Sequence, residues 1–248
     1  MNLQKTPTRA AENIDKEDTK KEIVQMLLEL EELQATMYAE GKHSFLVILQ
    51  GMDASGKDGT IRKVFSSVNP MGCSVTSFKA PTPIELEHDF LWRIHLQTPE
   101  RGMIKVFNRS HYEDILVPSV EKFISEEKIK ERFEAIVNFE LLLEQNNTHV
   151  LKFYLHISQE EQKERFQERL EIPEKSWKHN PNDAQTSEKW PDFMKVYEEI
   201  FKRCGKENPW NIIPADQNWY RDYLITKTIV DSMKKLKMEY PKPISIKN

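Results

Sequence analysis

The chain has 248 residues, of which 38% are hydrophobic and 31% charged, and its formal net charge is −4. This size and balance favour one large globular domain with an insertion over two independent domains. The acidic charge argues against a nucleic-acid-coating protein, and the apolar runs are too short for a membrane span. Two cysteines, Cys73 and Cys204, are too few for a disulfide framework or a cysteine metal cluster, so a reducing cytoplasm is expected.

Hydrophobic periodicity predicts helices that alternate with short apolar strands. Residues 1–15 are polar and are expected to form a flexible N-terminus, followed by a single domain over 16–248 with a lid insertion at about 160–200. Such alternation predicts an α/β fold, a three-layer sandwich around a central parallel sheet. Helices are predicted at about 16–39, 84–96, 126–145, 159–170, 188–203 and 217–238, and strands at about 44–50, 74–78, 103–107, 149–157 and 210–213.

A glycine-rich segment follows the first predicted strand and reads Gly51-Met-Asp-Ala-Ser-Gly-Lys-Asp-Gly59. Glycines allow backbone N–H groups to close around phosphate oxygens, while a lysine and the start of a helix neutralise the charge. The alternative is a glycine-rich turn with an incidental lysine, but the apolar strand before it and the amphipathic helix after it favour a phosphate-binding loop. The predicted phosphate contacts are Gly51, Met52, Ala54, Ser55, Gly56, Lys57, Asp58 and Gly59.

The loop departs from the standard nucleotide-binding pattern at one position. Asp58 follows Lys57, where that pattern carries a serine or threonine hydroxyl for magnesium. Asp53 lies inside the loop, and a carboxylate beside phosphates repels them unless a divalent cation lies between. Asp53 is therefore a predicted magnesium contact, the alternative being a surface aspartate that caps the turn.

The third predicted strand brings further polar residues to the edge of the sheet where ligands bind. The guanidinium of Arg109 suits bidentate phosphate binding, although a structural ion pair is the alternative. Glu113 and Asp114 are candidates to join Asp53 at magnesium. Since neighbours on a helix point about 100° apart, only one of them faces the site, and Glu113 is favoured. Asn108 offers a neutral oxygen there.

Other polar residues are weighed against structural roles. For His111, packing or capping is favoured over a proton shuttle, because phosphoryl transfer between phosphates needs no general base. His88 and His95 have no third ligand nearby, so a zinc site is not expected. Four cations lie within residues 165–178, and Arg165 and Arg169 share one face of a helix. A solvated helix would also explain them, but mobile basic insertions commonly close over phosphates and exclude water, so a lid is favoured.

The sequence contains, in this order, the motifs Gly51–Gly59, Phe78-Lys-Ala-Pro81, His88-Asp-Phe-Leu-Trp-Arg93, Phe107-Asn-Arg-Ser-His-Tyr-Glu-Asp114 and Pro214-Ala-Asp216. Together these five motifs resemble the polyphosphate kinase 2 family over about residues 20–240. The resemblance implies a P-loop kinase core with a helical lid, which uses Mg²⁺ (or Mn²⁺ in its place) to move the terminal phosphoryl group of inorganic polyphosphate to ADP or AMP. It also implies reversibility, with ATP as a product or donor, and a dimer or tetramer. The stretch 108–113 is most similar to the subgroup that accepts both AMP and ADP.

The resemblance also implies residue roles. Asp53 would bind magnesium and orient the acceptor phosphate, and Lys57 would contact the phosphates. Asn108, Arg109 and Glu113 would form the opposite wall. The polyphosphate channel would be lined by Lys79, Arg93, Arg165 and Lys178.

Two lid positions depart from the family pattern, which puts lid closure and chain-length preference in doubt. His179 stands where a phenylalanine is usual, and Ser187 where an arginine is usual. Two other functions stay open. One is an ATP-dependent nucleotide or small-molecule kinase indifferent to polyphosphate, and the other is a non-catalytic nucleotide-binding switch.

Overall fold

A five-stranded parallel sheet forms the centre of the computed structural model, which describes residues 2–176 and 187–242. The strand order is β2-β3-β1-β4-β5, so β1 lies in the middle with its carboxyl end between those of β3 and β4. The strands are β1 (Ser44–Gln50), β2 (Cys73–Ser77), β3 (Ile104–Asn108), β4 (Thr148–His156) and β5 (Trp210–Pro214). The predicted α/β class and parallel sheet are confirmed.

Helices cover both faces of this sheet and make two hydrophobic cores. The described helices are α1 (Lys16–Glu40), α2 (Lys57–Val64), α3 (Pro83–Leu86), α4 (Trp92–His95), α5 (Glu113–Glu121), α6 (Glu126–Gln145), α7 (Gln159–Glu171), α8 (Pro173–Ser176), α9 (Trp190–Cys204) and α10 (Asn218–Lys234). Every residue of β1 is buried, as a strand covered on both faces requires. Leu46 and Ile48 face the core that includes α6 and α9, whereas Val47 and Leu49 face the core that includes α1 and α10.

One predicted helix is wrong in extent. The stretch expected to be helical from 84 to 96 contains two short helices, α3 and α4, with a turn between them. Local side chains explain the break. Thr82 and Glu85 form a capping box at the start of α3, and the Asp89 carboxylate accepts the Leu91 N–H at 2.9 Å. Periodicity alone did not reveal this competition for the backbone.

Residues 2–10 pack against the domain. Leu3 is 1% exposed and belongs to the hydrophobic core, and its N–H donates to Glu198 Oε1 at 2.7 Å. Further along, the Thr8 hydroxyl donates to Asp216 Oδ2 at 2.8 Å. The polar composition of this segment did not indicate these contacts, and the flexibility expected there stays a prediction.

The predicted lid region contains α7, α8 and the start of α9. Lys178 and His179 lie outside the described residues, and the division into a core domain and a lid stays a prediction. Ser187 is described, and its carbonyl accepts a hydrogen bond from the Gln159 side chain at 3.2 Å. Of the helices in the described part of the chain, none has the length and apolar character needed to cross a membrane.

Candidate active site

The phosphate-binding loop, residues 51–59, joins the carboxyl end of β1 to α2. Gly56 directly precedes α2 in a left-handed conformation, with φ +97°, which favours glycine. A Cβ atom built on Gly51 would lie 2.7 Å from the Leu155 carbonyl oxygen, so a larger residue there would collide with β4. Ala54 also adopts a positive φ, +63°. The tight turn predicted from the glycines is therefore present, and it aims the first turn of α2 at the edge of the sheet.

Lys57 is held inside this loop. Its ammonium group donates to the carbonyl oxygens of Gly51 at 2.8 Å and Met52 at 3.2 Å, and to the Ser55 hydroxyl at 3.3 Å. Burial, followed by the charge of Arg109, lowers the pKa of Lys57 to about 8. An anion that approaches Lys57 would stabilise the charged form of its side chain and raise its pKa again.

A chain of ion pairs crosses the mouth of the loop. Arg109 Nη2 lies 2.6 Å from Asp53 Oδ1, and its Nη1 lies 3.4 Å from Glu113 Oε2. Arg109 adopts φ +64° immediately after β3, and its N–H donates to the Leu49 carbonyl at 3.1 Å. The ion pair considered as an alternative for Arg109 is thus present, and its partners are the two carboxylates predicted to bind magnesium. Asp114 instead pairs with Arg93 at 3.1 Å, which agrees with the expectation that one acid of the two faces the site.

Helix α7 holds the loop from the other side. Arg165 Nη1 donates to the Ala54 carbonyl at 2.8 Å, and Gln162 Nε2 donates to the Asp53 carbonyl at 2.9 Å. Arg165 also donates to the carbonyls of Ala215 and Asp216 after β5. These bonds fix the backbone on both sides of the strained Ala54.

An open cleft of about 1120 Å³ lies in front of the loop. Several cationic side chains face it together with Lys57, whereas Asp53, Asp58 and Glu168 are its acidic lining residues. The cationic lining residues are Arg62, Lys79, Arg109, Arg165, Arg169 and Arg221. Asn108 also lines the cleft, and its amide donates to Asp58 Oδ1 at 2.8 Å. Such a cluster suits a ligand with many negative charges.

Comparison with known proteins decides the family. A model of the polyphosphate kinase 2 family matches residues 13–241. The chain belongs to the polyphosphate kinase 2 family.

Two curated relatives and one solved structure agree with this family assignment. An AMP/ADP-polyphosphate phosphotransferase of Meiothermus ruber is 47% identical over 86% of this chain and 80% of its own length. An ADP-polyphosphate phosphotransferase of Rhodopseudomonas palustris is 39% identical over 97% of this chain and 88% of its own length. The crystal structure of polyphosphate kinase 2 from Arthrobacter aurescens TC1 matches with a TM-score of 0.96 and 35% identity, over 99% of this chain and 89% of that one. The P-loop kinase-like fold is therefore confirmed.

Lys79 and Arg93 were both predicted to line the polyphosphate channel, but they differ in their position relative to the cleft. Lys79 lines the cleft, but Arg93 is 7% exposed and is not among the cleft-lining residues in the described part of the chain. Arg93 donates to the Lys79 carbonyl at 2.9 Å, and its guanidinium lies over the Phe78 ring, 5.6 Å from the centroid. Arg93 thus supports the segment that carries Lys79.

Sequence reasoning missed Arg62 and Arg221. Arg221 follows β5 on the first turns of α10, and the rule that ligands bind at the carboxyl ends of parallel strands pointed to this region. Its Nε and Nη2 contact Asp222 Oδ1 at 2.9 and 2.8 Å, and its Nη1 contacts Asn218 at 2.7 Å. These bonds set the guanidinium against Gly56, where a Cβ atom would lie 2.1 Å from Nη1.

His111 is packed in the protein interior, in line with the packing or capping role that was favoured over a proton shuttle. It is fully buried, 3.3 Å from Glu140 Oε1. Glu140 also accepts from the Tyr112 hydroxyl at 2.7 Å and from the Lys152 ammonium at 2.6 Å. This buried network lies behind the start of α5 and away from the cleft lining.

Proposed function

We propose that this chain transfers the terminal phosphoryl group of inorganic polyphosphate to ADP and AMP, reversibly and with magnesium. The observation that carries the proposal is the position of Lys57, buried in a glycine loop at the base of a cleft with six further cationic lining residues. Names of relatives supply the substrates, because the Meiothermus ruber protein is an AMP/ADP-polyphosphate phosphotransferase.

The loop and its neighbours would bind and align the phosphates. Backbone N–H groups of residues 51–59 and the start of α2 would hold one phosphate group, and Lys57 would neutralise it. Arg109 would contact the transferred group from the opposite wall. Phosphoryl transfer requires little covalent chemistry from the protein, so alignment and charge neutralisation would supply most of the catalysis.

Polyphosphate would occupy the cationic cleft. It repeats a negative charge along a flexible chain, so a row of arginine and lysine side chains offers many equivalent contacts. Lys79 and Arg165 were predicted for this channel, and Arg62, Arg169 and Arg221 extend it. Lys178 stays a sequence-based candidate for the same role.

Asp53 and Glu113 would hold magnesium, with manganese able to replace it. Both carboxylates contact the same guanidinium, Arg109, so they converge on one region of the site. In the described residues, no three His, Cys, Asp or Glu side chains form a metal-binding group. Two carboxylates nevertheless fit magnesium, which keeps several waters and takes further ligands from substrate phosphates. When bound, the ion would neutralise charge between the two phosphate groups.

Nucleotide formation with long-chain polyphosphate and magnesium tests the proposal. ADP and AMP are supplied separately to the wild type, Lys57→Met and Lys63→Met, since Lys63 is an exposed lysine on the same helix and outside the cleft lining. Polyphosphate-dependent ATP formation that is lost only in Lys57→Met is expected, and the AMP reaction assigns the subgroup. Transfer from ATP to a small acceptor without any use of polyphosphate would overturn the proposal in favour of an ATP-dependent kinase. Binding of nucleotide without turnover would indicate a switch.

A homo-oligomer and a cytoplasmic location stay predictions, as does the absence of nucleic-acid and membrane partners.

A further inference from the structure

The segment of residues 2–10 crosses the carboxyl ends of β4 and β5, outside the residues that the family model matches. Leu3 anchors it, since this side chain is buried in the core and its carbonyl accepts from His156 Nε2 at 3.0 Å. The Thr8 carbonyl accepts the Asp216 N–H at 3.0 Å, and the Ala10 N–H donates to the Gln217 side chain at 2.9 Å. The segment is therefore bonded to the residues that follow β5.

Asp216 connects this segment to α7. One carboxylate oxygen, Oδ1, accepts the Ser158 N–H at 2.8 Å, and Ser158 is the N-cap residue of α7. The other oxygen, Oδ2, accepts the Thr8 hydroxyl at 2.8 Å and lies 3.4 Å from Arg9 Nε. Because the Asp216 side chain is only 2% exposed, water cannot readily replace the Thr8 hydroxyl.

Glu161 on α7 makes the second connection. Its Oε1 accepts from Arg165 Nε at 2.8 Å, and its Oε2 lies 3.4 Å from Arg9 Nη2. The Arg9 side chain is 59% exposed, so its two ion pairs are weak. The bond from Thr8 to the buried Asp216 carboxylate is the stronger of the two links between the segment and α7.

Glu161 and Asp216 both contact Arg165, the first through its carboxylate and the second through its main-chain carbonyl. This guanidinium donates to the carbonyls of Ala54 in the phosphate-binding loop and of Asp216 after β5. Ala54 has φ +63°, a conformation that persists only where neighbouring groups hold it. A shift of Asp216 or of the α7 N-terminus moves the donor that holds Ala54.

We propose that Thr8, assisted by Arg9, is a positioning residue of the active site, which acts through Asp216 and Glu161 to hold Arg165 on the phosphate-binding loop. The inference rests on the proposed function only where it concerns turnover. A hydrogen bond to a charged group typically changes an equilibrium by about tenfold, and a loss of this order in kcat/KM for polyphosphate is expected when it is removed.

The test uses the full chain with Thr8→Val, which removes the hydroxyl, and Thr8→Ser, which keeps it. Thr6→Val is the matched control, because the Thr6 hydroxyl is exposed and donates to the Asn2 carbonyl at 3.0 Å within the same segment. We expect kcat/KM for polyphosphate to fall about tenfold in Thr8→Val, with recovery in Thr8→Ser and no change in Thr6→Val. Arg9→Met should lose less, since its ion pairs are exposed.

A double variant separates positioning from general loss of stability. In an Arg165→Met background, Thr8→Val should cause no further loss of kcat/KM, because its effect acts through Arg165. A full additional loss in that background would overturn the proposal, as would equal losses in Thr8→Val and Thr6→Val or a failure of Thr8→Ser to recover activity.

Hydrogen exchange of the amides in residues 52–57 gives a readout that does not depend on turnover. Faster exchange there in Thr8→Val, but not in Thr6→Val, is expected from a loosened loop. If the wild type transfers phosphate from polyphosphate but exchange in Thr8→Val is unchanged, the inference is overturned and the proposed function is not. A wild type that does not use polyphosphate would overturn the proposed function and leave the exchange result to decide this one.

Discussion

Arg109 Nη2 lies 2.6 Å from Asp53 Oδ1 across the mouth of the phosphate-binding loop. The two side chains are 40% and 29% exposed, so the pair contributes at most about 1 kcal/mol to stability. A pair this weak can be exchanged at little cost for stronger partners. Magnesium would bind the Asp53 carboxylate, and a phosphate group would bind the Arg109 guanidinium. Metal and substrate together would therefore separate the ion pair.

Asp53→Asn should therefore separate binding from turnover. The amide keeps the shape of the side chain but removes the charge that attracts magnesium and repels phosphate. We expect kcat to fall at least about a hundredfold, while polyphosphate binding without magnesium is equal to that of the wild type or tighter. Steady-state rates and equilibrium titration measure the two effects. Asp231→Asn, on the exposed surface of α10, is the control, and full activity of Asp53→Asn at saturating magnesium would contradict the assigned role.

Most of the order of strands and helices could be predicted from the sequence, because β1, β3 and β4 are largely apolar runs and helices such as α6 and α9 repeat apolar residues at helical spacing. The predicted helix over 84–96 was wrong, since Asp89 and the Thr82–Glu85 capping box stabilise a turn that periodicity does not register. The contacts of the segment at 2–10 were not indicated by the sequence for a related reason. One buried residue, Leu3, anchors it, and a single apolar side chain in a polar stretch produces no pattern.

The loop and the groups after β3 could also be predicted, because their residue types follow directly from phosphate and metal chemistry. Arg221 could not be distinguished by type, since it lies on a helix with an ordinary mixture of charges. What reveals it is its contact with Gly56, a relationship between residues far apart in the chain. Arg93 shows the opposite case, because its motif indicated the channel but its partners are Asp114 and the Lys79 carbonyl.

The contact between Arg221 and Gly56 makes Gly56→Ala a severe change. The new Cβ atom would lie 2.1 Å from Arg221 Nη1, in a residue with φ +97°. We expect an unfolding free energy lower by about 1–3 kcal/mol from backbone strain, and a larger loss of kcat/KM because Arg221 and the loop must both shift. Gly59→Ala is the comparison, since its Cβ atom would lie 3.5 Å from Arg221 Nη2, an ordinary contact. Urea unfolding and steady-state kinetics measure both variants, and equal losses in the two would contradict this reasoning.

The buried pair of Glu140 and Lys152 predicts a loss of stability without direct damage to the cleft. Lys152 is fully buried, and its ammonium donates to Glu140 Oε2, the Tyr112 hydroxyl and the Cys204 carbonyl. Lys152→Met leaves the Glu140 charge uncompensated and should lower the unfolding free energy by about 3–5 kcal/mol. The double variant Glu140→Gln with Lys152→Met should regain part of this loss, because no charge is then left buried. If urea unfolding shows the double variant to be less stable than Lys152→Met, the charge is not the cause.

The pKa of Lys57 predicts opposite effects of pH on activity and stability. Burial lowers this pKa to about 8 from an ordinary value of 10.5, so the free protein loses the ammonium charge above about pH 8. Since kcat/KM reports groups of the free enzyme, it should decline above about pH 8, whereas kcat should decline only at higher pH because bound phosphates raise the pKa. The unfolded chain binds more protons between pH 8 and 10.5, so the contribution of Lys57 to stability increases with pH in that range. Lys57→Arg keeps its charge and should show a flatter pH profile at a lower rate. A decline in kcat/KM that follows thermal unfolding, or that persists unchanged in Lys57→Arg, would assign the pH effect to another group.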